Sequence, residues 1–248
     1  EKEGKYQHAY CTDIDKRGDV RVVCNIKHNH RWMSTMLHEF GHAAYDKFID
    51  PELPWSLREP AHIFTTEAIA MLFGRFASNP LWLRDVIGIE DNEAVKISSA
   101  CFNSLGLEQL IFSRWVQVMY RFEKAMYENP SQNLNDLWWS LVNKYQQLKK
   151  PVGRNSADWA SKIHVALYPA YYHNYMLGEL LASQLNNYIL KNILCENDSP
   201  SFNANKNIGG YLKNRFFTFG TSLNWRDLIE KSTKEHLSAI HYARQFVS

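Results

Sequence analysis

The chain has 248 residues, of which 45% are hydrophobic, 22% charged and 14% aromatic. That is long enough to bury a sizeable core in one or two domains. Net charge is +2, from 28 basic and 26 acidic residues without a basic run or acidic tail, so nothing points to a nucleic acid or an anionic membrane surface as partner. The longest apolar stretches are too short and too interrupted to span a bilayer.

Four cysteines, Cys11, Cys24, Cys101 and Cys195, are too few for a disulfide scaffold and too scattered for a zinc finger. The sequence opens on Glu1 without a signal-peptide pattern and is expected to be a processed or excised portion of a longer protein.

Residues 6–14 and 20–26 read as two strands joined by a turn over Asp15 to Asp19, where Gly18 tolerates a positive φ. After Arg31 the period changes to about 3.6, with apolar residues at Met33, Met36, Leu37, Phe40, Ala44 and Phe48. Pro51 and Pro54 end that helix. Helices are then expected over 64–76, briefly after Pro80, over 91–128 up to Asn129-Pro130, and from Leu134. Residues 150–157 read as a loop, and a tyrosine-rich helix follows over 169–195, with Pro169 in its first turn. Residues 196–207 are polar and turn-like, and short helices near 208–217, 225–232 and 235–247 close the chain. The expected fold is mostly α, with one small β-hairpin that needs helices to lie against.

The stretch LHEFGH, residues 37–42, places His38 and His42 four apart, on one face of a helix and one turn from each other. Two imidazoles at this spacing can hold one ion, and Glu39 lies about 100° around the axis, within reach of a reacting water. Imidazole and carboxylate ligands in an open tetrahedral site suit zinc. Gly41 adds weight, because glycine costs about 1 kcal/mol in a helix interior; either a ligand site or a packing contact could demand it. A catalytic zinc needs a third protein ligand. Glu67, on the next helix and 25 residues beyond His42, is the expected one, while the competitors Glu52 and Glu59 fall in the intervening loop.

Further along, residues 161–175 carry Lys162, His164, Tyr168, Tyr171, Tyr172 and Tyr175. A tyrosine stripe at helical spacing is more often core than catalytic, although Tyr172 and Tyr175 share a face.

The run CTDIDKRGDVRVVCNI, then HEFGH, LP, LRE and EAI resembles the angiotensin-converting-enzyme family of zinc peptidases. The matching residues are Asp19-Val20-Arg21, His38 to His42, Leu53-Pro54, Leu57-Arg58-Glu59 and Glu67-Ala68-Ile69. The spacing from second histidine to glutamate is also close to that of the thimet oligopeptidase and oligopeptidase F group. The resemblance implies a zincin-type helical peptidase with the hairpin beside the metal helix, and His38, His42 and Glu67 holding Zn2+. It implies Glu39 as general base, Lys162 and Tyr172 as binders of a substrate's terminal carboxylate, and His164 and Tyr175 as transition-state donors. Residues 9–12 are expected to pair with an extended peptide.

Departures from the family pattern matter. Asn174 stands where animal members carry an arginine tied to chloride activation, which argues against chloride dependence. Met71 replaces an aspartate that supports a zinc histidine, so another acceptor must orient an imidazole. The gap between His164 and the tyrosine pair is one residue longer. Cys11 and Cys24 match a disulfide pair of the animal enzymes; if formed, it implies an oxidising, extracytoplasmic compartment, and otherwise a cytoplasmic one is expected. By resemblance the 248 residues are the catalytic, C-terminal portion of a peptidase, and the helical N-terminal half lies outside them. The implied activity is hydrolysis of short or unfolded peptides by a peptidyl-dipeptidase. The alternatives are an oligoendopeptidase, or a zinc-binding fragment inactive without the missing half as partner.

Overall fold

In the computed structural model, which describes residues 2–195 and 200–247, a two-stranded antiparallel sheet precedes a succession of helices. Strands β1 (Tyr10–Asp13) and β2 (Val20–Val23) pair with Cys11 opposite Val22 and Thr12 opposite Arg21. The turn is held by carboxylates: Asp13 accepts from Gly18 N–H at 3.1 Å, and Asp15 from Arg17 N–H at 2.8 Å. Gly18 takes φ +93°, as a left-handed turn position requires. Both strands are shorter than expected, four residues each.

The helices are α1 (His30–Lys47), α2 (Ile63–Gly74), α3 (Pro80–Trp82, continued by a π-helical turn over Leu83–Ile87), α4 (Asp91–Glu128) and α5 (Leu134–Gln146). They are followed by α6 (Ile163–Ala166), α7 (His173–Asn192), α8 (Lys206–Leu212), α9 (Trp225–Thr233) and α10 (Ile240–Phe246). The mostly α reading with one hairpin holds. Part of the polar stretch expected over 196–207 lies outside the described residues; its described remainder is irregular up to α8.

The chain forms two compact units, one running up to Leu105 and resuming at Gly178, the other Gly106–Leu177. In the first, α1 packs on α2 and carries the hairpin. The α1 cap is Asn29, whose side chain accepts from Trp32 N–H at 2.9 Å. Its buried positions are Leu37, Glu39, Gly41 and Tyr45. Phe40 and Phe48, expected on the apolar face, are 45% and 41% exposed. Helix α2 buries nine of its twelve residues, so it is a central helix with no polar face. Tyr45 stacks against Phe216 and Phe217, and Leu181, Leu185, Ile189, Leu228 and Ile229 complete this core.

In the second unit, Val118, Met119 and Phe122 of α4 pack on Trp138 and Val142 of α5, with Trp115, Trp159 and Tyr172 against them. Helix α7 does not begin at Pro169. Ala170 adopts φ +55°, its N–H donates to the buried Glu123 carboxylate at 2.5 Å, and this turn delays the helix to His173. Helix α10 likewise starts late, at Ile240 rather than 235. In the first unit, the fully buried Gln184 amide donates to the carbonyl of His236 and accepts from Ser238 N–H, drawing the backbone of 235–238 away from helical pairing.

Candidate active site

Helices α1 and α2 bring three of the expected residues to one point. The His38 and His42 rings stand edge to face, 4.9 Å apart. Their Nε2 atoms lie 3.5 and 3.8 Å from Glu67 Oε2, and one ligand atom from each residue falls within 4.8 Å of the others. The close approach of the two helices makes this possible. A Cβ at Gly41 would sit 2.5 Å from Ala70 Cα and 2.8 Å from Ile69 O, so the backbone of α2 occupies the space a side chain would need. Gly41 is therefore a packing glycine, and the packing is what sets the distance between ligands. Gly178 of α7 does the same behind Glu67, where a Cβ would lie 3.0 Å from Glu67 Cβ.

Burial pushes the His38 imidazole down to about 4; burial and then the neighbouring His38 push His42 down to about 3. Both rings are therefore neutral at pH 7 and offer a lone pair. Glu67, 2% exposed, brings a carboxylate oxygen between them. Two neutral imidazoles and a carboxylate converging on one point fit Zn2+ with a coordination position left over. His42 Nδ1 lies 2.7 Å from Thr66 Oγ1. With the hydroxyl as acceptor of the Nδ1 proton, the lone pair is fixed on Nε2, the atom facing Glu67. Thr66 thus fills for His42 the orienting role that Met71, a buried thioether, cannot. Its one sequence signal was adjacency to Glu67. Glu39 is 7% exposed, and burial raises its carboxyl to about 7, the range in which a general base both accepts and returns a proton.

The other expected residues meet in the second unit. His164 Nε2 lies 3.0 Å from the Tyr175 hydroxyl, and the His164 ring stands edge to face on Tyr172 at 4.9 Å. Tyr172 and Tyr175 are 5.1 Å apart. The longer gap after His164 is taken up by α6 and the turn at Ala170, which return the chain so that His164 still meets both tyrosines. Lys162, the N-cap of α6, has its Nζ 5.4 Å from the Trp115 ring centre. Asn174 is 2% exposed, with its amide donating to Tyr171 O.

The remaining residues play other parts. Cys11 and Cys24 are free thiols. Cys11 faces Val22 across the ladder, and Cys24 follows directly after the end of β2. Burial, with Asp46, Glu39 and Asp13 nearby, pushes the Cys11 thiol up to about 12. Glu59 pairs with Lys16 and Glu52 is exposed, so neither competes with Glu67. His62 caps α2 reciprocally with Thr65, His30 opens α1 with its ring 3.0 Å from Ser78 Oγ, and His173 packs on Tyr120.

A hairpin-flanked helix bearing H-E-x-x-H, joined by a glutamate from the next helix, defines the class of zinc metallopeptidases. The family model for angiotensin-converting enzyme, peptidase M2, matches residues 6–244, and the chain belongs to that family. It is 25% identical over 242 residues to the angiotensin-converting enzyme of Theromyzon tessulatum, covering 94% of this chain and 38% of that one. It is 24% identical to carboxypeptidase 1 of Bacillus subtilis (strain 168), covering 97% and 52%. The crystal structure of the M32 carboxypeptidase from Deinococcus radiodurans R1 shares the fold, with a TM-score of 0.73 at 18% identity, over 97% of this chain and 54% of that chain. The chain thus spans about half or less of the length of these proteins.

Proposed function

We propose that this chain is the metal-bearing portion of a zinc peptidase that hydrolyses short or unfolded peptides from a free C-terminus, as a peptidyl-dipeptidase. The observation that carries the reading is the convergence of His38, His42 and Glu67 within 4.8 Å, with the buried Glu39 directly after the first ligand. Zinc held there would supply Lewis-acid polarisation of the scissile carbonyl. Glu39 takes the proton from the attacking water and passes it to the leaving amine, a task suited to a carboxyl raised to about 7. By family resemblance His164 and Tyr175 donate to the oxyanion that develops, and one such donor is commonly worth about 3 kcal/mol. Their mutual distance of 3.0 Å supports treating them as one donor pair. Lys162 and Tyr172 take the peptide's terminal carboxylate. Among the described residues β1 pairs only with β2, which leaves an edge where residues 9–12 can accept an extended peptide.

Metal analysis followed by hydrolysis of one peptide as free acid and as C-terminal amide tests this reading. One equivalent of zinc and cleavage of the acid alone are expected. Equal cleavage of both forms would make the protein an oligoendopeptidase. Bound zinc without hydrolysis would favour the second reading, a fragment that needs the rest of a family member; its motive is that the chain covers 38% of the Theromyzon enzyme.

A further inference from the structure

Lys162 rests on a side chain that the reading above does not use. Trp115, on α4, meets Trp138 edge to face, with ring centres 5.7 Å apart and planes at 89°, so the two indoles form a rigid corner. The Lys162 ammonium sits in that corner, 5.4 Å from the Trp115 ring centre and 5.9 Å from that of Trp138. A cation over π faces is held by the ring quadrupoles, and its N–H bonds stay available to an anion. The nearby Asp158 carboxylate is occupied by Arg154 and by the Trp139 indole N–H. Among the described residues Lys162 Nζ has no hydrogen bond or ion pair.

Tyr172 packs against the same cluster. Burial pushes its hydroxyl up to about 12.

We propose that Trp115 is the positioning residue of a carboxylate anchor: its π face, in the corner it forms with Trp138, places the Lys162 ammonium, and that donor, with the hydroxyl of Tyr172 packed against the same cluster, takes the terminal carboxylate of a peptide. The proposal rests on the reading of Lys162 and Tyr172 as carboxylate binders. A bound anion needs donors that are fixed before it arrives, and the indole corner fixes the ammonium.

The test is binding of dialanine and of dialanine amide to the zinc-loaded protein, followed by titration calorimetry. The unaltered protein should bind the acid at least tenfold more tightly than the amide, and Lys162→Ala should abolish that ratio. Trp115→Phe should reduce the ratio about tenfold by weakening affinity for the acid alone. A second variant, Trp115→Leu, keeps apolar bulk and removes the π face altogether; it should lower the ratio at least as far as Trp115→Phe, with affinity for the amide unchanged. If the unaltered protein shows no preference, the carboxylate-anchor reading itself falls, and the role of Trp115 with it. If Lys162→Ala abolishes the preference while both variants at position 115 keep it in full, the anchor stands and Trp115 is only a core residue.

Discussion

A methyl group at Gly41 would separate the packing account of the metal centre from one in which the ligands find their geometry on their own. The added Cβ would lie 2.5 Å from Ala70 Cα, 2.8 Å from Ala70 N and 2.8 Å from Ile69 O. Ordinary van der Waals contact begins at 3.4 Å, and all three atoms are backbone, so α1 and α2 must part by about 1 Å. Alanine returns about 1 kcal/mol of helix propensity. Overpacking costs typically 1–3 kcal/mol, and a rigid helix backbone puts this site at the upper end. The larger effect is on metal. Zinc bonds to histidine near 2.0–2.1 Å and tolerates deviations of about 0.2 Å. A shift of about 1 Å carries Glu67 out of the range in which it and both imidazoles share one ion. Gly41→Ala is therefore expected to lower zinc affinity by more than about 100-fold, beyond the loss that outer partners cause. Chelator competition measures this directly. Thermal unfolding with and without zinc checks it, because a ligand that binds only the folded state raises its melting temperature by an amount that grows with the logarithm of its affinity. A Gly41→Ala protein that binds zinc as tightly as the parent, with the same rise in melting temperature, would refute the claim that the α1–α2 approach sets the site.

Three further outcomes are expected. Thr66→Val should weaken zinc binding about 10–100-fold by removing the acceptor of the His42 Nδ1 proton, whereas Thr66→Ser should not; chelator competition on the two variants distinguishes a hydrogen-bonding role from a steric one. Glu39→Gln should keep one equivalent of zinc by metal analysis and lose peptide turnover, and unchanged turnover would remove Glu39 as the base. Asp46 is held at about 7 against an ordinary 3.8, first by burial and then by Asp13 and Glu59, so its carboxyl stays protonated longer in the folded state than in the unfolded one. Stability should therefore fall as pH rises from 4 to 7, by at most about 4 kcal/mol. Asp46→Asn should flatten that slope in urea unfolding at pH 4 and pH 8, and an unaltered slope would mean that another group causes it.

Much of this architecture was legible because its signals are local. Helix α4 runs from Asp91 to Glu128 as its pattern and the Asn129-Pro130 stop imply. His38 and His42 reveal themselves through a four-residue spacing, and Glu67 through a proline-bearing loop that lets the next helix turn back beside the first. What was not legible depends on partners remote in sequence. The start of α7 is set by Glu123, 47 residues before the Ala170 N–H that it accepts. The late start of α10 is set by Gln184, 54 residues before Ser238. Each is a side chain that outbids the local preference of the backbone, and neither pattern nor propensity carries that information.

The same distinction explains why the metal ligands were easier to read than their supports. A ligand is chosen from few residue types, so histidine, histidine and glutamate at set spacings stand out from any background. The supports need only a hydroxyl, an indole or the absence of a side chain, and threonine, tryptophan and glycine occur everywhere for other reasons. Gly41 shows how such a residue becomes informative: in a helix it is a cost without local return, so its return must lie across an interface. The interface is with Ala70, three residues from Glu67, and the glycine that weakens α1 as an isolated helix is what lets α1 reach its third ligand.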